Sequence, residues 1–201
     1  MFGMVKEWFL MILSNKIMKK ILLIHMLFIP FLFFAQKNSS VEKSFFTLQI
    51  GAVGVWVNNE TRLTDNIALR TEVGLYTEIY QGIGFFMAPE ITLEPRWYYN
   101  IQKRALNKKD TSNNSANFFT LKTSFRFSLF EISGFDDDRK SAENSFAIIP
   151  KWGIRRNISK SFNYELGAGI GYIHFIDQKY FKTYDNNGIA IDLHVRIGYN
   201  F

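Results

Sequence analysis

Ile189-Ala190-Ile191-Asp192-Leu193-His194-Val195-Arg196-Ile197-Gly198-Tyr199-Asn200-Phe201 is the stretch that decides the fold. Every odd position is apolar. The even positions carry Ala190, Asp192, His194, Arg196, Gly198 and Asn200. A period of two marks a strand with two unlike faces, whereas a helix would scatter these residues around its circumference. The stretch ends on an aromatic, with no polar tail behind it.

The alternation recurs upstream. Phe162, Tyr164, Leu166, Ala168, Ile170 and Tyr172 oppose Asn163, Glu165, Gly167, Gly169 and Gly171. Phe146, Ile148, Pro150, Trp152 and Ile154 oppose Lys151, Gly153 and Arg155. Phe119, Leu121, Phe125, Phe127 and Leu129 oppose Lys122, Ser124, Arg126 and Ser128. Ile91, Leu93, Pro95, Trp97, Tyr99 and Ile101 oppose Glu90, Glu94, Arg96, Tyr98 and Asn100. Ile67, Leu69, Val73, Leu75 and Ile79 oppose Arg70, Glu72, Gly74 and Glu78. No helical period persists after residue 40.

Between residues 44 and 63 the phase flips. Phe46, Leu48 and Ile50 are apolar at even positions, and Val55, Val57 and Leu63 at odd ones. Either a tight turn at Gly51-Ala52-Val53-Gly54 separates two strands, or a bulge interrupts one. We read two strands, because the total is then eight, and bacterial membrane barrels have even strand numbers.

The polar faces collect Glu60, Arg62, Arg70, Glu72, Glu78, Glu90, Glu94, Arg96, Lys122, Arg126, Lys151, Arg155, Glu165, Asp192 and Arg196, seven acids against eight bases. A balanced set can pair across a closed lumen, where an unpaired charge costs several kcal/mol. Gly167, Gly169 and Gly171 weaken a solvated strand but leave room beside bulky lumen side chains. The runs reach the ~9–11 residues of a tilted membrane strand. These features predict an all-β fold, an eight-stranded antiparallel transmembrane β-barrel. The alternative is a periplasmic or secreted β-sandwich or lipocalin-like barrel, with the apolar stripes inside.

Met18-Lys19-Lys20 precedes an apolar run from Ile21 to Phe34, then Ala35. This order is that of a signal peptide, and the run is shorter than a spanning helix. The reading divides the chain into a non-native extension at 1–17, a signal peptide at 18–35 and the barrel at 36–201. Without cysteine, thiolate chemistry, disulfides and a lipid-modified cysteine are excluded. The formal charge is +6, of which residues 1–35 carry +3, leaving +3 for the rest. That is a weak footprint for nucleic acid.

The ending at Leu193, Val195, Ile197, Tyr199 and Phe201 resembles the last strand of outer-membrane barrels. In that family this strand is the signal that the barrel-assembly machinery reads, which assigns the role to Tyr199 and Phe201. The body resembles the "outer membrane protein beta-barrel domain" family, broadly OmpA- and OmpW-like. The likeness rests on Asn59-Glu60-Thr61-Arg62-Leu63, Ile67-Ala68-Leu69-Arg70, Glu94-Pro95-Arg96-Trp97-Tyr98-Tyr99, Asn163-Tyr164-Glu165 and Gly169-Ile170-Gly171-Tyr172, and spans residues 44–201. It implies a porin-like outer-membrane protein in contact with lipid and lipopolysaccharide, without a peptidoglycan-binding domain. Two departures stand out. Pro95 and Pro150 lie within strand runs, which predicts a bulge at each. The basic connection 103–116, placed on the periplasmic side, is long for its position.

Catalytic and metal chemistry find little footing. His174 is in phase with Tyr172 and His194 with Asp192 and Arg196, so the two lie on opposite faces and cannot share a metal. His25 lies in the leader. His194 and Asp192 could act as base and orienter for a lipid-modifying enzyme, but no serine is near on that strand; Ser124 and Ser128 sit on a distant one. No cofactor is expected. Asp136-Asp137-Asp138 with Arg139-Lys140 reads as a solvated outer loop. The loop 80–88, with Phe85 and Phe86, is apolar enough to fold over the mouth or reach the lipid interface. The expected function is structural or interaction-based: at eight strands side chains just fill the interior, so no open channel is expected, and the lumen charges lock the barrel. A narrow conduit or binding site for a small hydrophobic compound is the alternative.

Overall fold

The computed structural model describes residues 40–80, 84–129, 132–133, 143–176 and 185–201. The leader, the Asp136 cluster and residues 81–83 lie outside them, as do the side chains of 78–80, 84–86 and 132–133.

Alternation builds long antiparallel strands: β1 Ser44–Gly51, β2 Gly54–Arg62, β3 Ile67–Tyr80, β4 Gly84–Trp97, β5 Asn117–Arg126, the two-residue β6 Ile132–Ser133, β7 Ser145–Asn157, β8 Phe162–Phe175 and β9 Asn187–Asn200. They pair in the order β3-β2-β1-β9-β8-β7-β5-β4, and β3 pairs with β4 to close the ring. The two-residue β6 adds two rungs to β4 beyond the end of β5. The result is an eight-stranded antiparallel closed barrel. Residues 44–63 form two strands, joined by a two-residue turn in which Gly54 adopts φ +142°. Only glycine takes that conformation without strain.

The faces sort inside out relative to a soluble protein. Ile50, Val57, Val73, Ile91, Leu93, Leu121, Ile170, Ile191, Leu193, Val195 and Ile197 are exposed on the outer wall. Glu60, Arg70, Glu72, Glu90, Glu94, Arg96, Lys151, Arg155 and Glu165 are buried inside. The apolar stripes do not pack against one another as a sandwich core.

Four expectations need correction. The prolines make no bulge. Beside Pro95 the β4–β5 ladder opens between Leu93↔Thr123 and Arg96↔Thr120, and the register is the same on both sides. Beside Pro150 the β7–β8 ladder opens between Ile148↔Tyr172 and Lys151↔Gly169, again without a slip. Proline removes one donor, and both strands tolerate the loss without an inserted residue.

One of the β8 glycines, Gly171, has a different cause from the one inferred, whereas at Gly169 a Cβ would also meet the lumen side chains of Ile149 and Lys151 at 2.8 and 2.9 Å, as expected. A Cβ on Gly171 would lie 2.1 Å from the Ile148 carbonyl oxygen. It is the backbone of β7, pressed close beside the proline gap, that demands glycine there.

The connection after β4 is not irregular throughout. Helix α1 spans Ile101–Leu106, followed by a 3-10 turn at Ser112–Asn114. Ile101 therefore leaves the outer stripe and is buried in the cap. Finally, β5 stops at Arg126, so Ser128 and Leu129 are exposed beyond it, and Gly84–Ala88 belong to β4 rather than to a loop.

Candidate functional site: a sealed ionic lumen beneath an open cavity

The base of the barrel, where the connections 62–67, 98–117 and 157–162 lie, is closed by the cap around α1. Val41, Ala68, Tyr98, Ile101, Ala116 and Phe118 form an apolar cluster there, each 0 % exposed. Asn114 reaches in from the 3-10 turn. Its Nδ2 donates to Glu60 Oε2 at 2.9 Å, and its Oδ1 accepts from the Glu42 backbone N–H.

Above the cap sits a continuous ionic network. Glu60 accepts from Arg155 Nη1 at 2.6 Å, Arg96 Nη1 at 3.3 Å and the Tyr98 hydroxyl at 2.6 Å. Glu165 accepts from Arg70 Nη1 at 3.0 Å, Arg96 Nη2 at 2.8 Å and Gln49 Nε2 at 3.3 Å. Glu72 binds Arg70 and Arg196, and Glu94 binds Arg96 and Lys151. Arg155 also donates to Thr47 and Asn200, and Arg70 to Gln49. Strands β1 to β4 and β7 to β9 contribute, so the network ties the wall together across its diameter. Such pairs are costly to break singly, because the survivor is left as a buried charge.

Four arginines also lie over aromatic faces: Arg96 over Phe118, Arg126 over Tyr76, Arg155 over Phe45 and Arg196 over Trp56, at 3.5 to 4.9 Å from the ring centroids. Stacking of this kind suits a guanidinium better than an ammonium. Trp56, Phe45 and Phe118 were missed as lumen residues. Phase alone places the first two inside, since Trp56 falls between outward Val55 and Val57, and Phe45 precedes outward Phe46.

The expected filled interior holds for the lower lumen only: the described residues do not fill the outer half. A cavity of about 420 Å³ is lined by Trp56, Tyr76, Glu90, Lys122, Ser124, Arg126, Ile149, Ile173, Asp192, His194 and Arg196. Lys122 lies 3.0 Å from Asp192 and 3.4 Å from Glu90 on its wall. Its floor is Trp56.

The cavity also touches Ile189, Ile191, Leu193 and Val195, which belong to the outer face of β9. Strand lengths explain how. β1 and β2 have 8 and 9 residues, whereas β3, β4, β8 and β9 have 14. β1 pairs with β9 only from Arg196 to Asn200, and β2 pairs with β3 only as far as Tyr76. Above the Ala52-Val53 turn, β9 and β3 face each other with no strand between them among the described residues. Val53 of that turn and the outward β9 side chains line the edge of the cavity beside this notch.

Of the sequence-derived network, Glu60, Arg70, Glu72, Glu94, Arg96, Lys151, Arg155, Glu165 and Arg196 meet in the lower lumen, and Glu90, Lys122, Arg126 and Asp192 line the cavity. Arg62 does not join: it is half-buried at the end of β2, with no ion pair among the described residues. The pairing of His194 with Asp192 is not what the fold builds. His194 Nε2 lies 2.8 Å from Glu165 Oε1, and Nδ1 lies 3.3 Å from Lys151 Nζ, while Asp192 turns to the two lysines. Ser124 lines the same cavity but has no hydrogen bond to His194 among the described residues. No cluster of metal-ligating side chains occurs among the described residues. Tyr199 and Phe201 are exposed beside Phe162 and stack edge to face with one another at 5.2 Å. No helix among the described residues is long and apolar enough to cross a membrane, which leaves crossing by strands untouched. No family model, curated protein or solved structure matches the chain.

Proposed function

We propose that the chain is a small outer-membrane barrel, exported by its leader, that spans the bilayer with its strands and conducts nothing through its base. The observation that carries this reading is the reversed polarity: ion pairs occupy the lower lumen and charged side chains line the cavity above it, while aliphatic side chains cover the wall. In water that wall would be a large exposed apolar surface, which soluble monomers avoid. In lipid it is the required surface. Aromatic residues near the base of the wall (Trp97, Tyr99, Phe119, Trp152, Phe162, Tyr199) fit an interfacial girdle. Membrane fractionation with heat-modifiable migration on a denaturing gel tests it. A shift on boiling is the expected result, and a soluble, unshifted protein sinks the reading.

The cavity favours a second role on the same scaffold. Roughly half apolar, closed below by Trp56 and bordered at its edge by outward β9 side chains, it suits a small hydrophobic compound with a polar group. Titration with a fluorescent hydrophobic amine such as phenylnaphthylamine, read against Trp56→Ala, tests this. Saturable binding lost in that variant is expected; partitioning that ignores Trp56 contradicts it. Among the described residues no nucleophile is hydrogen-bonded to His194, and we assign no catalytic role. Planar-bilayer recordings without steady conductance are the matching expectation for the sealed base.

A further inference from the structure

The lumen cations have carboxylate partners; the cations at the base of the barrel do not. Lys103, Arg104, Lys108, Lys109, Arg156 and Lys160 make no ion pair among the described residues. Lys103, Lys108, Lys109 and Lys160 are exposed.

The backbone that carries them is nonetheless held in place. Arg104 Nε donates to the Ser115 carbonyl at 2.7 Å and its Nη2 to the Asp110 carbonyl at 2.9 Å, which pins the chain after α1. Asn157 fastens that segment to β7 through Asp110 Oδ2 at 2.6 Å. Asn113 reaches the Lys160 carbonyl. Of the carboxylates at the base, Asp110 is occupied by Ser112 and Asn157, and neither Glu42 nor Asp65 makes an ion pair among the described residues.

The patch is joined to the aromatic wall. Arg156 Nη2 donates to Asn117 Oδ1 at 2.5 Å, and Asn117 Nδ2 donates to the Tyr99 hydroxyl at 3.0 Å. Trp152 Nε1 donates to the same hydroxyl at 3.1 Å. Tyr99 packs on Trp97 and Phe119. Leu106, 73 % exposed at the end of α1, adds an apolar side chain to the basic rim.

We propose that this rim binds the anionic headgroup of a phospholipid in the membrane leaflet at the base of the barrel. The lysines meet the phosphate, and the acyl chains lie along Trp97, Phe119 and Trp152. The proposal rests on the membrane reading above. Its chemistry is that of a basic, aromatic-bordered surface at the bilayer interface, where each cation strengthens attraction to anionic lipid.

The test uses the full chain folded into nanodiscs of phosphatidylcholine with phosphatidylglycerol, followed by native mass spectrometry of the lipids it keeps. We expect phosphatidylglycerol to be retained over phosphatidylcholine by on the order of a hundred-fold, from about three contributing lysines. The triple variant Lys103→Glu, Lys108→Glu, Lys109→Glu should lose that preference, while Lys43→Glu, elsewhere on the base, should keep it. Equal retention of both lipids by a protein that does insert overturns this proposal and leaves the membrane reading intact. Failure to insert at all overturns both. Equal competition by inorganic phosphate, or lysine-dependent binding to purified peptidoglycan instead of lipid, also overturns it.

Discussion

Arg155 Nη1 lies 2.6 Å from Glu60 Oε1 with both side chains wholly buried, and these two residues couple β7 to β2 across the barrel. Arg96, Tyr98 and Asn114 also donate to Glu60. Removing it takes from Arg155 its close carboxylate, the next being Glu165 at 3.8 Å, while Arg96 keeps Glu94 and Glu165. Glu60→Ala should therefore destabilise the barrel by about 3–5 kcal/mol. Urea unfolding from vesicles measures this, and a loss below about 1 kcal/mol would show that the network is not what fastens the base.

Trp56 depends on Gly74. A Cβ at Gly74 would stand 2.2 Å from Trp56 Cδ1 and 2.5 Å from the Val55 carbonyl oxygen. Gly74→Ala should cost about 1–3 kcal/mol by overpacking and shift the indole from its seat beneath the cavity. Its emission maximum and probe binding should change together. Unchanged binding with a displaced indole would remove Trp56 from the site.

Acid should loosen the cap before the lumen. Slight desolvation pushes the Asp110 carboxyl up, but hydrogen bonds from Ser112 and Asn157 outweigh it and hold the pKa below the ordinary 3.8. A carboxylate depressed on folding contributes its full stability above the unfolded value and loses it as pH falls through the folded one. Order at Ser112 should thus persist down to about pH 4 and decline below it. Asp110→Asn should abolish that dependence in amide exchange. The same acid transition in the variant would assign it to another group.

The outer face of β9 should reject charge. Leu193→Arg places a guanidinium on the wall, at a cost of about 2–4 kcal/mol in a bilayer if it lies near the midplane. Leu106→Arg, on the cap rim, should be almost neutral. Equal effects at the two sites would argue that neither side chain faces lipid.

The barrel was legible because its strands alternate without interruption: Leu193, Val195 and Ile197 against Asp192, His194 and Arg196 declare both the strand and its faces. The cap was not legible. α1 is six residues long, too short to establish a 3.6-residue period. Its first residue, Ile101, also continued the strand phase of Trp97 and Tyr99, so pattern alone carried β4 too far. The notch was half legible. The turn at Ala52-Val53 could be read from the phase flip, but its consequence depends on β9 and β3 running past it, a comparison of strand ends that no local pattern contains. The partners of His194 were hidden for the same reason, since Glu165 and Lys151 reach it from other strands.

Single-tryptophan variants in bilayers containing brominated phosphatidylcholine give the most direct measurement of which way the wall faces. Trp97 and Trp152, on the outside, should be strongly quenched, and Trp56, enclosed between Arg196 and the β2–β3 wall, should be spared. Strong quenching of Trp56 with Trp97 and Trp152 protected would contradict the account.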